Sequence, residues 1–237
     1  MTIMATQTLS TGAKLTPFLL DEPSRVGVIV LPGGGYQGLS TDHEGAQIGR
    51  WLNEHGYDAW MLEYHVASTT PVPLLNKPLD DVGAAVKAIR ADKRGEKLGI
   101  WGFSAGGHLA AMAATQPDFK LDFAILCYAV IAVSGPYAHK GSARNLLGEN
   151  PTATQIEAYS PPLRVSLGTP PIFLYANGED GAVPPMNSLI MAGALAEHRV
   201  PFEIHIYQKG GHGWGLALDN DYLKGWSERL AAWLSLR

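Results

Sequence analysis

The chain has 237 residues, of which 46% are hydrophobic and 17% are charged. This length suits one domain with a large core, and the composition is too apolar for a disordered chain. The net charge of -4 gives no basic excess that would attract a phosphate backbone, so a nucleic-acid partner is not expected. Every apolar run is shorter than a membrane span of about 18 residues, so no membrane partner is expected either. Residues 1–24 show no secretory signal, which predicts a cytoplasmic location.

Short apolar runs alternate with segments of helical spacing along most of the chain. This alternation predicts an α/β fold with a mainly parallel sheet and helices on both of its faces. The predicted strands are 25–31, 57–63, 97–103, 123–128, 171–176 and 202–207, and the predicted helices are 43–55, 79–91, 105–114, 184–199 and 220–236. A further strand over 14–20 is a weaker prediction, because Pro17 interrupts it and proline is confined to sheet edges.

The segment 131–169 has no clear period and contains several prolines. Long irregular segments in compact domains are usually functional, so this one is predicted to be a lid-like insertion. Within it, 143–147 and 152–159 could form short helices. No linker, charge block or repeat divides the sequence, which predicts a single domain over 1–237.

The pentapeptide Gly102-Phe103-Ser104-Ala105-Gly106 has the form G-x-S-x-G and lies where a predicted strand meets a predicted helix. This setting is typical of a nucleophile elbow, in which flanking glycines let a strained turn present the serine hydroxyl at the sheet edge. The alternative is a glycine-rich turn whose serine only caps the helix. The sequence favours Ser104 as a nucleophile.

A serine hydroxyl needs a base, and His212 is the best placed of the eight histidines. It lies in a glycine-rich loop between the last predicted strand and the last predicted helix. His108 follows Ser104 by one helical turn, so packing is its expected role. The histidines lack a spacing such as HExxH, and the lone Cys127 lies in an apolar run. Neither a metal nor a cofactor is therefore expected.

A carboxylate is also needed to orient the histidine, and the loop after the strand 171–176 offers two. Glu179 and Asp180 are adjacent, and only one of them can face the imidazole. Asp180 is preferred because its spacing to the following Val-Pro resembles hydrolase acid loops, whereas Glu179 suits a solvated loop charge. The chain order is then Ser, Asp, His.

Three glycines, Gly33 to Gly35, follow the first predicted parallel strand directly. Their flexible backbone can turn amides toward a developing oxyanion. Such loops also cradle phosphates, but the nucleotide alternative lacks its partner residues, since neither a G-x-x-x-x-G-K-[ST] motif nor a G-x-G-x-x-G motif with a well-placed acid is present.

With these elements in order, the chain resembles the α/β-hydrolase superfamily, and within it the small serine esterases described as acetyl xylan esterase or BD-FAE-like. The resemblance extends from residue 25 to the end of the chain. It implies that Ser104 is the nucleophile, His212 the base and Asp180 the orienting acid. Gly34, Gly35 and Ala105 would supply the oxyanion amides, and no cofactor would be needed.

Two positions depart from the family pattern. Pro32 stands where many related esterases have a histidine before the glycines, and His65 stands where the relatives' segment Tyr-Arg-Val-Ala has arginine. The resemblance also implies a hydrolase core without a large cap, and therefore an open pocket with a small acyl site. Tyr36, His139 and Trp214 are candidate substrate-binding walls.

The expected function is therefore that of a serine carboxylesterase acting through an acyl-enzyme on short, acetyl-type esters, with acetylated xylan or xylo-oligosaccharides as candidate substrates. An amide-cleaving relative, either an arylformamidase or a peptidase, is the nearest alternative because it would use the same residues. A non-catalytic binding module on a hydrolase fold is a third interpretation. The partner would be a small-molecule or oligosaccharide ester, and the sequence leaves the oligomeric state open.

Overall fold

A nine-stranded mixed sheet forms the centre of the structure, a computed structural model that describes residues 2–3 and 5–237. Its strands are β1 (Thr2–Ile3), β2 (Gln7–Thr8), β3 (Lys14–Leu19), β4 (Val26–Leu31), β5 (Asp58–Glu63), β6 (Lys97–Phe103), β7 (Phe123–Cys127), β8 (Ile172–Asn177) and β9 (Phe202–Tyr207). The order across the sheet is β1-β3-β5-β4-β6-β7-β8-β9, and β2 pairs with β3 beside β1. The strands from β5 to β9 in this order are all parallel, whereas β3 is antiparallel to β5.

Seven α-helices accompany the sheet in the described part of the chain. They are α1 (Gln47–Glu54), α2 (Lys77–Ala91), α3 (Ser104–Ala114), α4 (Lys140–Leu147), α5 (Ala153–Ala158), α6 (Met186–Glu197) and α7 (Trp226–Leu234). A π-helical turn, Asp42–Ala46, leads directly into α1, and 3-10 turns occur at Pro117–Phe119 and Pro161–Arg164. None of the helices described here is long and apolar enough to cross a membrane.

The inner parallel strands β4 to β8 are buried at almost every position because both faces of the sheet are covered there. Ile29 and Leu126 contribute to a core with α2, α3 and α6. Their neighbours Val28 and Ile125 contribute to the opposite core with α1 and α7. The predicted α/β architecture, a mainly parallel sheet with helices on both faces, is confirmed.

The weakly predicted amino-terminal strand is present as β3 despite its proline. Pro17 is aligned with Trp60 of β5 on one side. On the other side it lies between Leu15, which pairs with β2, and Phe18, which pairs with β1. The ring therefore lies at an interruption of the ladder, where its missing N–H costs no strand pairing.

The last helix is much shorter than predicted. Residues 221–225 form turns, and α7 begins only at Trp226. The Asn220 side chain accepts the backbone amides of Tyr222 at 3.0 Å and Leu223 at 3.2 Å. This local side-chain bonding replaces the helical pattern, as asparagine commonly does in turns.

The insertion 131–169 has more helix than predicted at its first site. There α4 begins three residues before position 143, because the His139 side chain accepts the amide of Ser142 and caps the helix. At the second site, Thr152 and Gln155 form a capping box at the start of α5.

The strand order reverses next to β4. The chain places β5 on one side of β4 and then returns through α2 to place β6 on the other side. In open parallel sheets, ligands bind beyond the carboxyl ends of the strands at such a switch point. The loop after Leu31 and the turn after Phe103 meet at this position, so the fold brings together the glycine-rich segment and Ser104.

Candidate active site

Ser104 lies on a strained turn between β6 and α3. Its φ angle is +51°, in the left-handed region that non-glycine residues rarely adopt. Only glycines fit around it: a Cβ on Gly102 would lie 2.1 Å from the carbonyl oxygen of Gly106, and one on Gly106 would lie 2.2 Å from that of Leu31. The G-x-S-x-G spacing is thus explained by backbone packing on both sides of the serine.

His212 joins Ser104 to a carboxylate. Its Nε2 lies 2.9 Å from Ser104 Oγ, and its Nδ1 lies 2.7 Å from Asp180 Oδ2. Because a carboxylate can only accept, Nδ1–H donates to Asp180, and Nε2 is left to accept the serine proton. The His212 side chain is 26% exposed, whereas that of Asp180 is fully buried.

Of the two adjacent acids in the loop after β8, Asp180 is the one whose carboxylate lies beside the imidazole. Asp180 Oδ1 accepts the backbone amides of Ala182 at 3.0 Å and Val183 at 2.8 Å, which fixes the carboxylate while Oδ2 faces the imidazole. Glu179 is exposed.

Several backbone amides near Ser104 have no hydrogen-bond acceptor in the described structure. Gly34 and Gly35 have φ angles of +136° and +65°, and their amides donate to no acceptor within the described residues. A side chain is excluded at Gly34, where a Cβ would lie 2.1 Å from the carbonyl oxygen of Gly38. Ala105 is buried in the first turn of α3, where helix amides have no intrahelical acceptor. The amide of Gly33, by contrast, is occupied by Glu44.

A cavity of about 480 Å³ opens over these groups. Its walls come from four loops and α4, and they combine polar side chains with glycines and one alanine. The lining residues are Gly34, Gly35, Gln37, Ser40, His43, Glu44, Ser104, His139, Gly141, Arg144, Asn145, Ala182, His212 and Gly213. The insertion 131–169 therefore supplies one wall through α4 and the residue that caps it.

Of the three candidate substrate-binding residues, His139 alone lines this cavity. Its Nδ1 accepts the amide of Ser142 at 3.2 Å and lies 2.7 Å from that residue's hydroxyl. Burial, and to a smaller extent the nearby His212, lowers the pKa of His139. The ring is thus held neutral, with Nε2 as its remaining donor.

The structure places Tyr36 and Trp214 away from the cavity wall. Tyr36 is 1% exposed and packs in the core beneath the glycine loop. Trp214 is half-buried, donates its indole N–H to the carbonyl of Gly211, and packs edge-on against Tyr128 and Tyr175. Both aromatic side chains therefore pack beneath loops of the site and do not line the cavity.

His108 is buried as expected of a packing residue, and it connects three segments. Its Nε2–H donates to the carbonyl of Tyr159 at 2.9 Å, so its Nδ1 accepts the Tyr36 hydroxyl at 2.8 Å. Burial lowers the pKa of His108 from its ordinary 6.5 to about 4. The neutral ring is the form that the folded protein requires.

This burial predicts acid sensitivity. Between about pH 6.5 and 4 the unfolded chain binds a proton at His108 that the folded protein does not. The residue's stabilising contribution is thus complete above pH 6.5 and falls by about 3 kcal/mol toward pH 4. Urea unfolding at several pH values should show this part of the decline in the wild type and in His198→Gln, an exposed control, but not in His108→Gln. An unchanged decline in His108→Gln would assign it to other groups.

Asparagines hold the loops of the site together, through contacts that no pattern in the sequence indicates. Asn177, the last residue of β8, accepts the amides of Glu179 and Gly211 at 3.1 Å, so it joins the acid loop to the histidine loop. Asn145 of α4 donates to the carbonyl of Gly35 at 3.0 Å.

His65, at the position of the family's arginine, pairs with a buried carboxylate. Its backbone N–H donates to Asp81 Oδ2 at 2.8 Å, and its Nδ1 lies at the same distance from that oxygen. Asp81 Oδ1 is buried without a partner in the described structure. The following backbone braces the glycine loop, since the amide of Ala67 donates to the carbonyl of Tyr36. The pair therefore supports the site from outside the cavity.

No group of three or more potential metal ligands occurs among the residues that the structure describes. Cys127 is buried, accepts the indole N–H of Trp101 at 3.3 Å, and has its pKa raised by burial. A buried thiol of this kind is unreactive.

Comparison with known proteins gives a consistent set of relatives. The sequence model of the prolyl oligopeptidase family matches residues 74–236. The chain is 36% identical to endo-1,4-beta-xylanase B of Butyrivibrio fibrisolvens, over 87% of this chain and 35% of the relative. It is 32% identical to an acetylxylan esterase of Xylanibacter ruminicola, over 94% of this chain and 48% of the relative. The chain thus spans about a third and about half of the length of these two curated relatives.

A solved structure is also similar over nearly the whole chain. The crystal structure of an acetyl ester-xyloside bifunctional hydrolase from Caldicellulosiruptor lactoaceticus superposes with a TM-score of 0.87 at 37% identity. The match covers 94% of this chain and 88% of that one.

Proposed function

The chain belongs to the prolyl oligopeptidase family of α/β-hydrolases, and we propose that it acts as a serine carboxylesterase that removes acetyl-sized groups from a carbohydrate alcohol. The observation that carries this proposal is the hydrogen-bonded series Ser104, His212 and Asp180. Its serine and histidine line the same cavity as Gly34 and Gly35, whose amides have no acceptor among the described residues. Such a series can activate a hydroxyl and stabilise the charge that its attack creates.

In the proposed reaction, Ser104 Oγ attacks the ester carbonyl carbon while its proton passes to His212 Nε2. The tetrahedral oxyanion is bound by the amides of Gly34, Gly35 and Ala105. When the intermediate collapses, His212 gives its proton to the departing alcohol oxygen, which leaves an acyl group on Ser104. A water molecule then attacks the acyl-enzyme, His212 takes its proton, and the carboxylic acid is released as the Ser104 hydroxyl re-forms.

The substrate class is supported by two observations. Similar proteins carry the names acetylxylan esterase and acetyl ester-xyloside hydrolase. Polar side chains also line the cavity, and Gln37, Arg144 and Asn145 are among those that could bind sugar hydroxyls. Because Ala182 is the only apolar side chain among the described lining residues, a long acyl chain would find few apolar side chains to pack against and would gain little of the roughly 0.8 kcal/mol per methylene that burial provides.

The acyl preference can be measured with p-nitrophenyl esters from acetyl to dodecanoyl. We expect kcat/KM to fall by roughly tenfold or more along this series, because the cavity does not bury the added methylenes of the longer acyl chains. Rates that stay flat along the series would contradict a small acyl site.

The carbohydrate assignment needs a separate assay, namely acetate release from acetylated xylo-oligosaccharides. Turnover of both the oligosaccharides and p-nitrophenyl acetate supports the full proposal. Turnover of the aryl ester alone would direct the search to other acyl donors. Since the matched family is named for peptidases, N-formylaniline and peptide p-nitroanilides belong in the same assay, and faster cleavage of these amides would favour the amide-cleaving alternative.

A further inference from the structure

A buried carboxylate that the proposed reaction does not use lies directly behind the glycine loop. Glu44 is 2% exposed and comes from the π-helical turn before α1. Its Oε2 accepts the amide of Gly33 at 2.9 Å. A Cβ added to Gly33 would lie 2.7 Å from that oxygen and 3.0 Å from the Cβ of Ser104. The carboxylate and the proposed nucleophile therefore flank the same glycine.

The other oxygen of this carboxylate binds a tyrosine at the end of β7. The Tyr128 hydroxyl donates to Glu44 Oε1 at 2.6 Å and accepts the amide of Gly215 at 3.0 Å. Burial, and then the charge of Glu44, raises the pKa of Tyr128 well above its ordinary range, so the hydroxyl keeps its proton. The backbone of Tyr128 has a φ of +36°.

The tyrosine ring contacts the proposed base as well. Its centroid lies 5.0 Å from that of His212 in an edge-to-face arrangement. The neighbouring His43 binds the same loop, since its Nε2 donates to the carbonyl of Gly213 at 3.0 Å. Close backbone contact is built in here, because a Cβ on Gly215 would lie 2.9 Å from the carbonyl oxygen of His43.

We propose that Glu44 and Tyr128 are positioning residues that hold the glycine loop and the His212 loop at a fixed separation. The hydrogen bonds run from Gly33 through Glu44 and Tyr128 to Gly215. This inference rests on the proposed function, because it gives the network the task of keeping the oxyanion amides and the base aligned on one nucleophile. Misalignment of reacting groups by about 1 Å can cost roughly 10²-fold in rate.

The structure provides a matched pair of tyrosines for the test. Tyr128→Phe removes the hydroxyl that links the two loops. Tyr175→Phe removes an equally buried hydroxyl that has no hydrogen-bond partner in the described structure. With p-nitrophenyl acetate we expect Tyr128→Phe to lower kcat by roughly 10- to 100-fold with little change in KM, whereas Tyr175→Phe stays near the wild type. Equal kcat values for the two variants would overturn the proposal.

A second pair separates positioning from simple stability. Glu44→Gln keeps an oxygen for the Gly33 amide and an N–H that can reach the Tyr128 oxygen, whereas Glu44→Ala keeps neither. We expect the glutamine variant to recover most of the kcat that the alanine variant loses. Equal losses in both would contradict positioning by hydrogen bonds. If Glu44→Ala does not fold, the tyrosine pair still decides.

The reaction of Ser104 with a phosphonofluoridate, followed by mass spectrometry, tests the proposed function and the positioning role separately. A wild type that neither hydrolyses esters nor forms the adduct would refute the proposed function and with it the positioning role. An active wild type whose Tyr128→Phe variant forms the adduct at the same rate would refute the positioning role alone. Slower adduct formation in Tyr128→Phe than in Tyr175→Phe would support it.

Discussion

Replacing Ser104 by alanine is expected to lower kcat by a factor of about 10⁴ to 10⁶ while leaving thermal stability almost unchanged. The hydroxyl oxygen of Ser104 is the atom that would form the acyl bond. In the described structure it lies 2.9 Å from His212 Nε2, which has no second hydroxyl as a hydrogen-bond partner. Alanine keeps the Cβ that packs beside Gly33 and tolerates the φ of +51° about as well as serine does. Activity on p-nitrophenyl acetate and a thermal unfolding curve measure the two effects.

A matched control is Ser227→Ala, which removes the hydroxyl of a buried serine in α7. It should leave kcat near the wild-type value. If Ser104→Ala kept more than about a tenth of the wild-type kcat, the serine would not be the nucleophile. If the Ser104→Ala variant kept the full function of the wild type, the result would support the binding-module interpretation instead.

The sequence predicted the architecture well because the parallel strands β4 to β8 are buried on both faces. Continuous apolar runs such as 97–103 and 123–128 leave few alternatives to a central strand. Local bonding was harder to predict. The missing first turns of the last helix depend on the Asn220 side chain, and the early start of α4 depends on the imidazole of His139. Such choices between side-chain and backbone partners leave the hydrophobic pattern unchanged.

The site could be predicted where chemistry and chain position coincide. Ser104, Asp180 and His212 each follow the carboxyl end of a predicted strand, and the structure brings their side chains within hydrogen-bonding distance. The network of Glu44 and Tyr128 could not be predicted, because these residues are 84 positions apart and meet only in three dimensions.

Two aromatic residues were predicted to contact the substrate, but the structure places them away from the cavity. Tyr36 and Trp214 directly follow loops that line the cavity, which made them reasonable substrate walls. A residue next to a tight glycine turn can point either into the pocket or into the core, and composition does not distinguish the two directions. The structure buries Tyr36 on His108 and packs Trp214 on other aromatic rings.

The second large effect is expected for Asp180→Asn, which should lower kcat by about 10⁴-fold with the fold intact. The reason lies in the two amides that Oδ1 accepts, from Ala182 and Val183. An asparagine at this position must keep its oxygen toward them, so its NH₂ group faces His212 Nδ1. The imidazole then has to accept at Nδ1 and carry its proton on Nε2, where it cannot take the proton of Ser104.

Glu179→Gln provides the matched control, because it makes the same charge change one residue away on an exposed side chain. Its kcat should stay close to the wild-type value. The prediction also has a diagnostic pH dependence. At alkaline pH, hydroxide can take the serine proton directly, so the activity of Asp180→Asn should rise with pH. Equal losses in the two variants would mean that negative charge near His212, and not its tautomer, is what the loop contributes. A loss confined to Glu179→Gln would instead assign the orienting role to the neighbouring acid and would require the loop to rearrange from the geometry in which Asp180 lies 2.7 Å from the imidazole.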